Sequence, residues 1–271
     1  MNDTRICLTI DAEFWDSPQF FGLAEGKNKE YGNEGCWALL DLFDRVKIKT
    51  TFFVSAEFAQ EHPRTVHRIV GDGHELASHS YSHVRLDGLE SAQRLFEIAE
   101  SKKFLEERFG VPIKGFRAPG NVIGSDHFLF LNQAGYRYDS SFHPAFLPHQ
   151  PFNLFRSKSL FLKGAVVEIP ISTLGGLPVS WVWMRNTGLW LARLAVYHNR
   201  LFNRPAVFYL HSWEFEPLPS VRGLPVFITR RTGDQFLNMV AEFINTFKDR
   251  GFLFDRMDRL ADEYFNHHSC L

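Results

Sequence analysis

Short β-branched and aromatic runs alternate with amphipathic helical stretches along almost the whole chain, and this alternation limits the possible folds more than any other feature. Residues 5–10, 50–54, 74–78, 115–117, 166–169, 206–210 and 251–254 read as strands. Between them lie helical patterns. One follows Asn33 and carries Trp37, Leu40 and Phe43; another opens at Pro63 with Val66 and Ile69. A third covers 90–109 with Leu95, Ile98, Leu105 and Phe109, and 233–250 carries Phe236, Val240, Phe243 and Phe247 on one face. Strands that alternate with helices predict a mainly parallel α/β sheet. About seven such units favour closure into a distorted (β/α) barrel over an open sheet. No Pro/Gly/Ser-rich linker and no internal repeat divides residues 1–271, so the expectation is one catalytic domain.

Composition removes several function classes. The net charge is -1, which gives no electrostatic reason to expect nucleic acid or another polyanion. Cys7, Cys36 and Cys270 are an odd, widely spaced set, as expected of reduced thiols. The start of the chain lacks a basic segment leading into a long apolar run, and no apolar run is long enough to cross a bilayer. The expectation is a cytoplasmic protein.

The chemistry is expected where the strands end. In parallel α/β folds, side chains at the C-terminal ends of strands build the site. The first strand runs into Asp11-Ala12-Glu13, and the strand at 74–78 runs into His79-Ser80-Tyr81-Ser82-His83. On a helical turn, residues i and i+4 share a face. Two imidazoles so placed, with a carboxylate as third ligand, would hold a metal and leave one position open. The chain has 12 histidines, so the spacing alone is weak, and two surface histidines on a loop is the competing reading.

Four motifs stand in order: Thr9-Ile10-Asp11-Ala12-Glu13, His79-Ser80-Tyr81-Ser82-His83, Phe116-Arg117-Ala118-Pro119-Gly120 and Tyr209-Leu210-His211. Together they resemble the polysaccharide deacetylase family, which shares its homology domain with the chitooligosaccharide deacetylases. The run Gly73-His74-Glu75-Leu76-Ala77-Ser78 into His79 is the most specific part. The first motif is closer to a branch with Asp-x-Asp or Asp-x-Glu, which includes exopolysaccharide-associated deacetylases and lipid-linked aminoarabinose deformylases. Tyr138-Asp139-Ser140-Ser141, Glu168-Ile169-Pro170 and Ser212-Trp213-Glu214 are similar to the exopolysaccharide group. The resemblance implies a distorted barrel, a divalent metal, usually Zn2+, and hydrolysis of an N-acyl group on a sugar.

The resemblance, read together with the residues themselves, gives the expected roles. Asp11 is the general base, and Glu13, His79 and His83 hold the metal, with exchange of Asp11 and Glu13 left open. Arg117 orients the base by a bidentate guanidinium contact. The Gly120 N–H is an oxyanion donor. His211 is the general acid, expected across the pocket from Asp11 and tuned by Asp139. Glu168, Trp213 and Glu214 line the substrate pocket. The sequence departs from the family pattern at Glu13, where a second Asp is usual, at Gly120, where an aromatic residue is usual, and at Tyr209, where leucine is usual.

The functional expectation is a metal-dependent hydrolase that removes an N-acetyl or N-formyl group from an amino sugar in a glycan or a lipid-linked saccharide. The alternatives are an amidohydrolase acting on a cyclic ureide or imide and a non-catalytic carbohydrate-binding protein. Within residues 181–202, Trp190, Leu194, Tyr197 and Leu201 make a helical stripe. Core packing is expected of it in preference to contact with a membrane surface. His143, His149, His267 and His268 are read as surface histidines.

Overall fold

The computed structural model describes residues 5–147 and 150–268; His149 and Cys270 lie outside them. Its strands are β1 (Arg5–Ala12), β2 (Thr51–Val54), β3 (Glu75–Ser78), β4 (Gly115–Phe116), β5 (Tyr138–Asp139), β6 (Phe161–Lys163), β7 (Val166–Glu168), the hairpin β8 (Thr173–Leu174) and β9 (Leu177–Pro178), β10 (Ala206–His211) and β11 (Leu253–Phe254). The helices are α1 (Ser17–Phe20), α2 (Asn33–Val46), α3 (Ala56–Glu61), α4 (Pro63–Gly71), α5 (Ser91–Phe109), α6 (His127–Ala134), α7 (Val182–Thr187), α8 (Leu189–Leu201), α9 (Val226–Thr229), α10 (Asp234–Lys248) and α11 (Met257–His268).

The main sheet runs β10-β1-β2-β3-β4-β5-β7-β6, with β11 also on β1. All pairings are parallel except β6 with β7. The path from β10 to β7 contains seven parallel strands, the number expected, but with β5 among them and the expected strand at 251–254 lying off the path as β11. It curls without closing: among the described residues no strand pairing joins β7 to β10. Ser172 spans part of that gap, its N–H donating to Val207 O at 2.9 Å and its Oγ accepting from Val207 N at 2.8 Å.

The period of two along a strand separates packing from chemistry. In β1, Ile6, Leu8, Ile10 and Ala12 join the large core with α2, α5, α8 and α10. The alternate residues face inward: Cys7 packs with Phe53, Ala77, Tyr138 and Val207, and Met257 and Ala261 of α11 plug this inner space from below. Thr9 and Asp11 continue the inward row toward the upper rim.

Three features differ from the expectations. Asn33 begins α2 and does not cap it; Glu216 takes that task, with Oε1 accepting from Gly32 N at 2.6 Å and Gly35 N at 3.0 Å. This ties α2 to the segment that leaves β10. Residues 16–32, whose aperiodic Gly-, Lys- and Pro-containing sequence reads as a loop, contain α1. Finally, the 181–202 stripe does not enter the core. Trp190, Leu194 and Leu201 are exposed, Tyr197 is half-buried, and α8 instead buries Leu191, Ala192, Ala195 and Val196. Among the described residues, no helix is long and apolar enough to cross a membrane.

Candidate metal centre and active site

The parallel strands deliver their C-terminal ends to one rim. Asp11 is in β1, His211 ends β10, and Glu13, His79 and Arg117 each follow a strand closely. His83 arrives differently from the helical turn expected. Residues 79–83 form a loop in which Ser80 and His83 take left-handed φ values of 65° and 53°. Such φ values are costly for residues with side chains and persist only where the surroundings enforce them. The surroundings here are specific. Ser80 Oγ accepts from His83 N, Glu97 of α5 accepts from Tyr81 N and Ser82 N, and the carbonyls of Ser80 and Tyr81 accept from Ala56 N and Glu57 N of α3.

The loop brings the His79 and His83 rings to 4.9 Å between centroids. Glu13 Oε2 lies 3.1 Å from His79 Nε2 and 2.5 Å from His83 Nε2. All three residues are buried, and their ligand atoms lie within 4.8 Å of one another. The His79 tautomer follows from its other nitrogen, which lies 2.8 Å from the Arg117 carbonyl. A carbonyl can only accept, so Nδ1 carries the proton and Nε2 presents a lone pair to the centre. Lone pairs of Glu13 and His79 thus converge in a dry site, an arrangement that a shared proton or a cation must relieve. Among the described residues, the imidazole nitrogens of His79 and His83 are the nitrogens that lie against Glu13 Oε2, and it has no hydrogen bond of regular geometry. The donor set of two imidazoles and one carboxylate fits a divalent metal. Burial pushes the Glu13 carboxyl up, but His83, His79 and His211 outweigh it and hold it well below the usual carboxylate range. Burial pushes His83 down, and the Glu13 charge overcomes this and raises it.

Asp11 stands beside this set, Oδ2 3.9 Å from His79 Nε2. Its Oδ1 accepts from Arg117 Nη1 at 2.7 Å. The bidentate contact expected on Asp11 does not form; the guanidinium forks instead. Nη1 also donates to Thr9 Oγ1, Nε donates to Ser140 O and Nη2 donates to Ser140 Oγ. Arg117 is fully buried, and four of its five N–H donors serve three neighbours at once.

His211 is fixed by the turn that follows it. Its Nδ1 lies 3.3 Å from Glu214 Oε2, and its N–H donates to the same oxygen. Glu214 in turn accepts from Arg185 Nε at 3.0 Å. Trp213 stacks on the His211 ring at 4.7 Å and donates from Nε1 to Glu13 Oε1 at 3.1 Å. Burial lowers the His211 pKa, and the Glu214 hydrogen bond and nearby carboxylates reverse this, raising it to about 9.

The cavity of about 270 Å³ over these groups is lined by Asp11, Glu13, His79, His83, Gly120, His211 and Trp213, among others. Three pocket expectations do not hold. Asp139 is fully buried away from the cavity and pairs with His127 Nε2 at 2.8 Å and Ser141 Oγ at 2.6 Å, so it does not tune His211; Glu214 sits there instead. Glu168 is buried and accepts from Phe142 N; burial and the Asp139 carboxylate push it well above the usual carboxylate range. Glu214 lies behind His211 and does not face the substrate space. His143, expected at the surface, is buried and lines the cavity. Asp16 was not anticipated: it lines the cavity with Oδ2 3.4 Å from His83 Nδ1. Its only signal in the sequence is its closeness to Glu13.

Comparison with known proteins agrees with this geometry. Residues 4–138 match the polysaccharide deacetylase family, and the chain belongs to it through that segment. Residues 140–262 match a domain of unknown function. That second segment supplies β10 and His211 to the same sheet and rim as the first. A peptidoglycan-N-acetylglucosamine deacetylase of Bacillus cereus is 30% identical over 99 residues, 36% of this chain and 46% of the relative. The match therefore spans less than half of that relative. A Mycobacterium smegmatis structure with a provisional polysaccharide deacetylase description superposes with a TM-score of 0.68 at 21% identity, covering 96% of this chain and 90% of the other. An allantoinase superposes with a TM-score of 0.67 at 19% identity, covering 97% and 90%. Likeness at these identities shows the shared fold alone.

Proposed function

We propose that the protein is a metal-dependent hydrolase that removes an N-acyl group, acetyl in the first instance, from an amino sugar, with Zn2+ as its metal. The observation that carries the reading is the convergence of Glu13, His79 and His83 beside an Arg117-held Asp11 and a Glu214-held His211 in one cavity. The names of relatives that match by sequence, peptidoglycan and chitin deacetylases among them, support the carbohydrate substrate. The likeness to an allantoinase supports a cyclic-amide substrate by fold only.

Glu13, His79 and His83 would hold the ion, which when bound would polarise the amide carbonyl and acidify a water. Asp11 accepts the proton from the attacking water. Arg117 keeps Oδ1 occupied, so Oδ2 is the oxygen left to receive it. The Gly120 N–H is a candidate donor to the oxygen that becomes negative as the carbonyl carbon turns tetrahedral. His211 delivers a proton from Nε2 to the leaving amine nitrogen. It can do so because Glu214 binds the opposite side of the ring and holds the Nδ1 proton there.

The test is acetate release from N-acetylated amino sugars, set beside ring opening of a cyclic ureide, on protein stripped of metal and reloaded with zinc. Zinc-dependent acetate release from a sugar supports the reading. Ring opening without acetate release would replace it.

A further inference from the structure

The cavity has two chemically distinct zones. The floor holds the polar groups described above. Around the mouth stand, as a collar, the apolar Phe20, Phe21, Leu147, Val182, Trp183 and Phe227, with the part-exposed Arg85 and Asp16 also on the lining. Phe20 is 58% exposed, Phe21 41%, Trp183 42% and Phe227 48%, so four large rings stand open to solvent around one entrance. Clusters of exposed apolar side chains beside a site mark ligand contact more often than chance. The rings come from three separate places: α1 and the residue after it, α7, and α9.

The collar is held in position. Asn186 of α7 donates to Phe227 O at 2.9 Å, and Arg185 donates to Ile228 O at 2.9 Å and to Arg230 O. The same Arg185 holds Glu214, which holds His211. One buried guanidinium thus ties α7 and α9 to the proposed proton donor, so the side of the collar that carries Trp183 and Phe227 is fixed by the fold.

Size and polarity point to what it takes. At about 270 Å³ the cavity is at the small end of ligand sites, which run roughly 300–1,000 Å³. A compact group enters, and the remainder of the substrate must lie over the collar. Further sugar residues would bring hydroxyls, and a buried hydroxyl without a partner is costly. The six apolar collar side chains offer a single polar hydrogen, on Trp183, and the guanidinium of Arg85 beside them is already engaged by Asp87 through Nε and Nη2. A hydrocarbon chain needs no partner and gains from each methylene removed from water.

Resting on the deacylase reading, we propose that the preferred substrate is an amphiphile: its N-acylated amino sugar enters the cavity, and a hydrocarbon aglycone lies across Phe20, Phe21, Trp183 and Phe227.

The test compares methyl, hexyl and octyl glycosides of N-acetylglucosamine, each below its micelle concentration, with di- to tetrasaccharides of the same sugar. Acetate release by the zinc-loaded protein is measured together with binding by calorimetry. The expected result is a kcat/KM at least about tenfold higher for octyl than for methyl, since a few buried methylenes suffice for that factor. In Trp183→Ala and in Phe227→Ala the octyl-to-methyl ratio falls at least about threefold. Equal kcat/KM for methyl and octyl, with a rise along the oligosaccharides, would overturn the proposal and make the collar a platform for sugar rings. If acetate is released from none of them, the deacylase reading fails, and calorimetry still decides the collar. Tighter binding of octyl than methyl that weakens in both variants supports it, and equal binding overturns it.

Discussion

Asp11 and His211 are register partners on adjacent parallel strands, β1 and β10. They do not face each other across the pocket, as the sequence led us to expect. Register partners in a parallel pair send their side chains to the same face of the sheet. Proposed base and proposed acid therefore rise side by side from one level of the rim. What separates their roles is the group behind each: a cation, Arg117, behind Asp11, and an anion, Glu214, behind His211. Two titratable groups given opposite surroundings is the arrangement expected of a base and an acid working on one substrate.

The geometry divides Asp11 from Glu13 experimentally. Glu13 shares an oxygen with both imidazoles, whereas Asp11 is 3.9 Å from the nearer one. Glu13→Gln is expected to lose bound zinc, and Asp11→Asn to keep it while kcat falls by roughly 10²–10⁴-fold, the usual worth of a positioned base. Metal content by mass spectrometry and turnover on the same samples check this. Zinc loss in Asp11→Asn with retention in Glu13→Gln would exchange the two roles.

Arg117→Lys should keep zinc and lower kcat about 10–100-fold. A lysine has no planar fork and could not serve Asp11, Thr9 and Ser140 together from a fully buried position. Wild-type turnover in that variant would remove Arg117 from the mechanism.

The strand ends were legible because period-two alternation and parallel topology send inward-facing carboxylates and histidines to one rim. That reasoning reached Asp11, Glu13, His79, Arg117 and His211. Asp139 and Glu168 were misread because a carboxylate at a strand end is equally at home in a buried network, here with His127, Ser141 and Phe142 N. The phase of α8 was misread for another reason. Its buried face relies on Ala192 and Ala195, and the larger Trp190, Leu194 and Leu201 weigh more in any hydrophobic pattern. The loop at 79–83 was out of reach of periodicity, since its shape depends on α3 and α5, distant in sequence.

Gly35 tests whether the turn after His211 must sit against α2. A Cβ on Gly35 would lie 1.9 Å from the Ser212 carbonyl oxygen, and backbone cannot move aside as a side chain can. Gly35→Ala is expected to destabilise the fold by about 1–3 kcal/mol, the range for overpacking. It should also lower kcat more than it lowers zinc content, because Ser212 adjoins His211. Chemical denaturation and turnover check it; unchanged stability would mean that α2 can shift without cost.

His74 gives a pH signature remote from the metal site. It is buried between Phe43 and Phe52, and its Nδ1 accepts from Thr50 N at 3.1 Å. Burial first, and then Lys49, push its pKa down to about 4. An unfolded histidine titrates near 6.5. Between those values the unfolded chain binds the extra proton, so stability falls as pH drops from about 6.5 toward 4. For this one group the loss from pH 7 to pH 5 is about 2 kcal/mol. His74→Phe keeps an aromatic ring but strands the Thr50 N–H, which costs about 1–3 kcal/mol at every pH. The variant is therefore expected to be less stable than wild type at pH 7 but to lose less on going to pH 5. Urea unfolding of both proteins at the two pH values reads the difference. Equal losses would mean that His74 is already charged in the fold, contrary to its role as acceptor for Thr50.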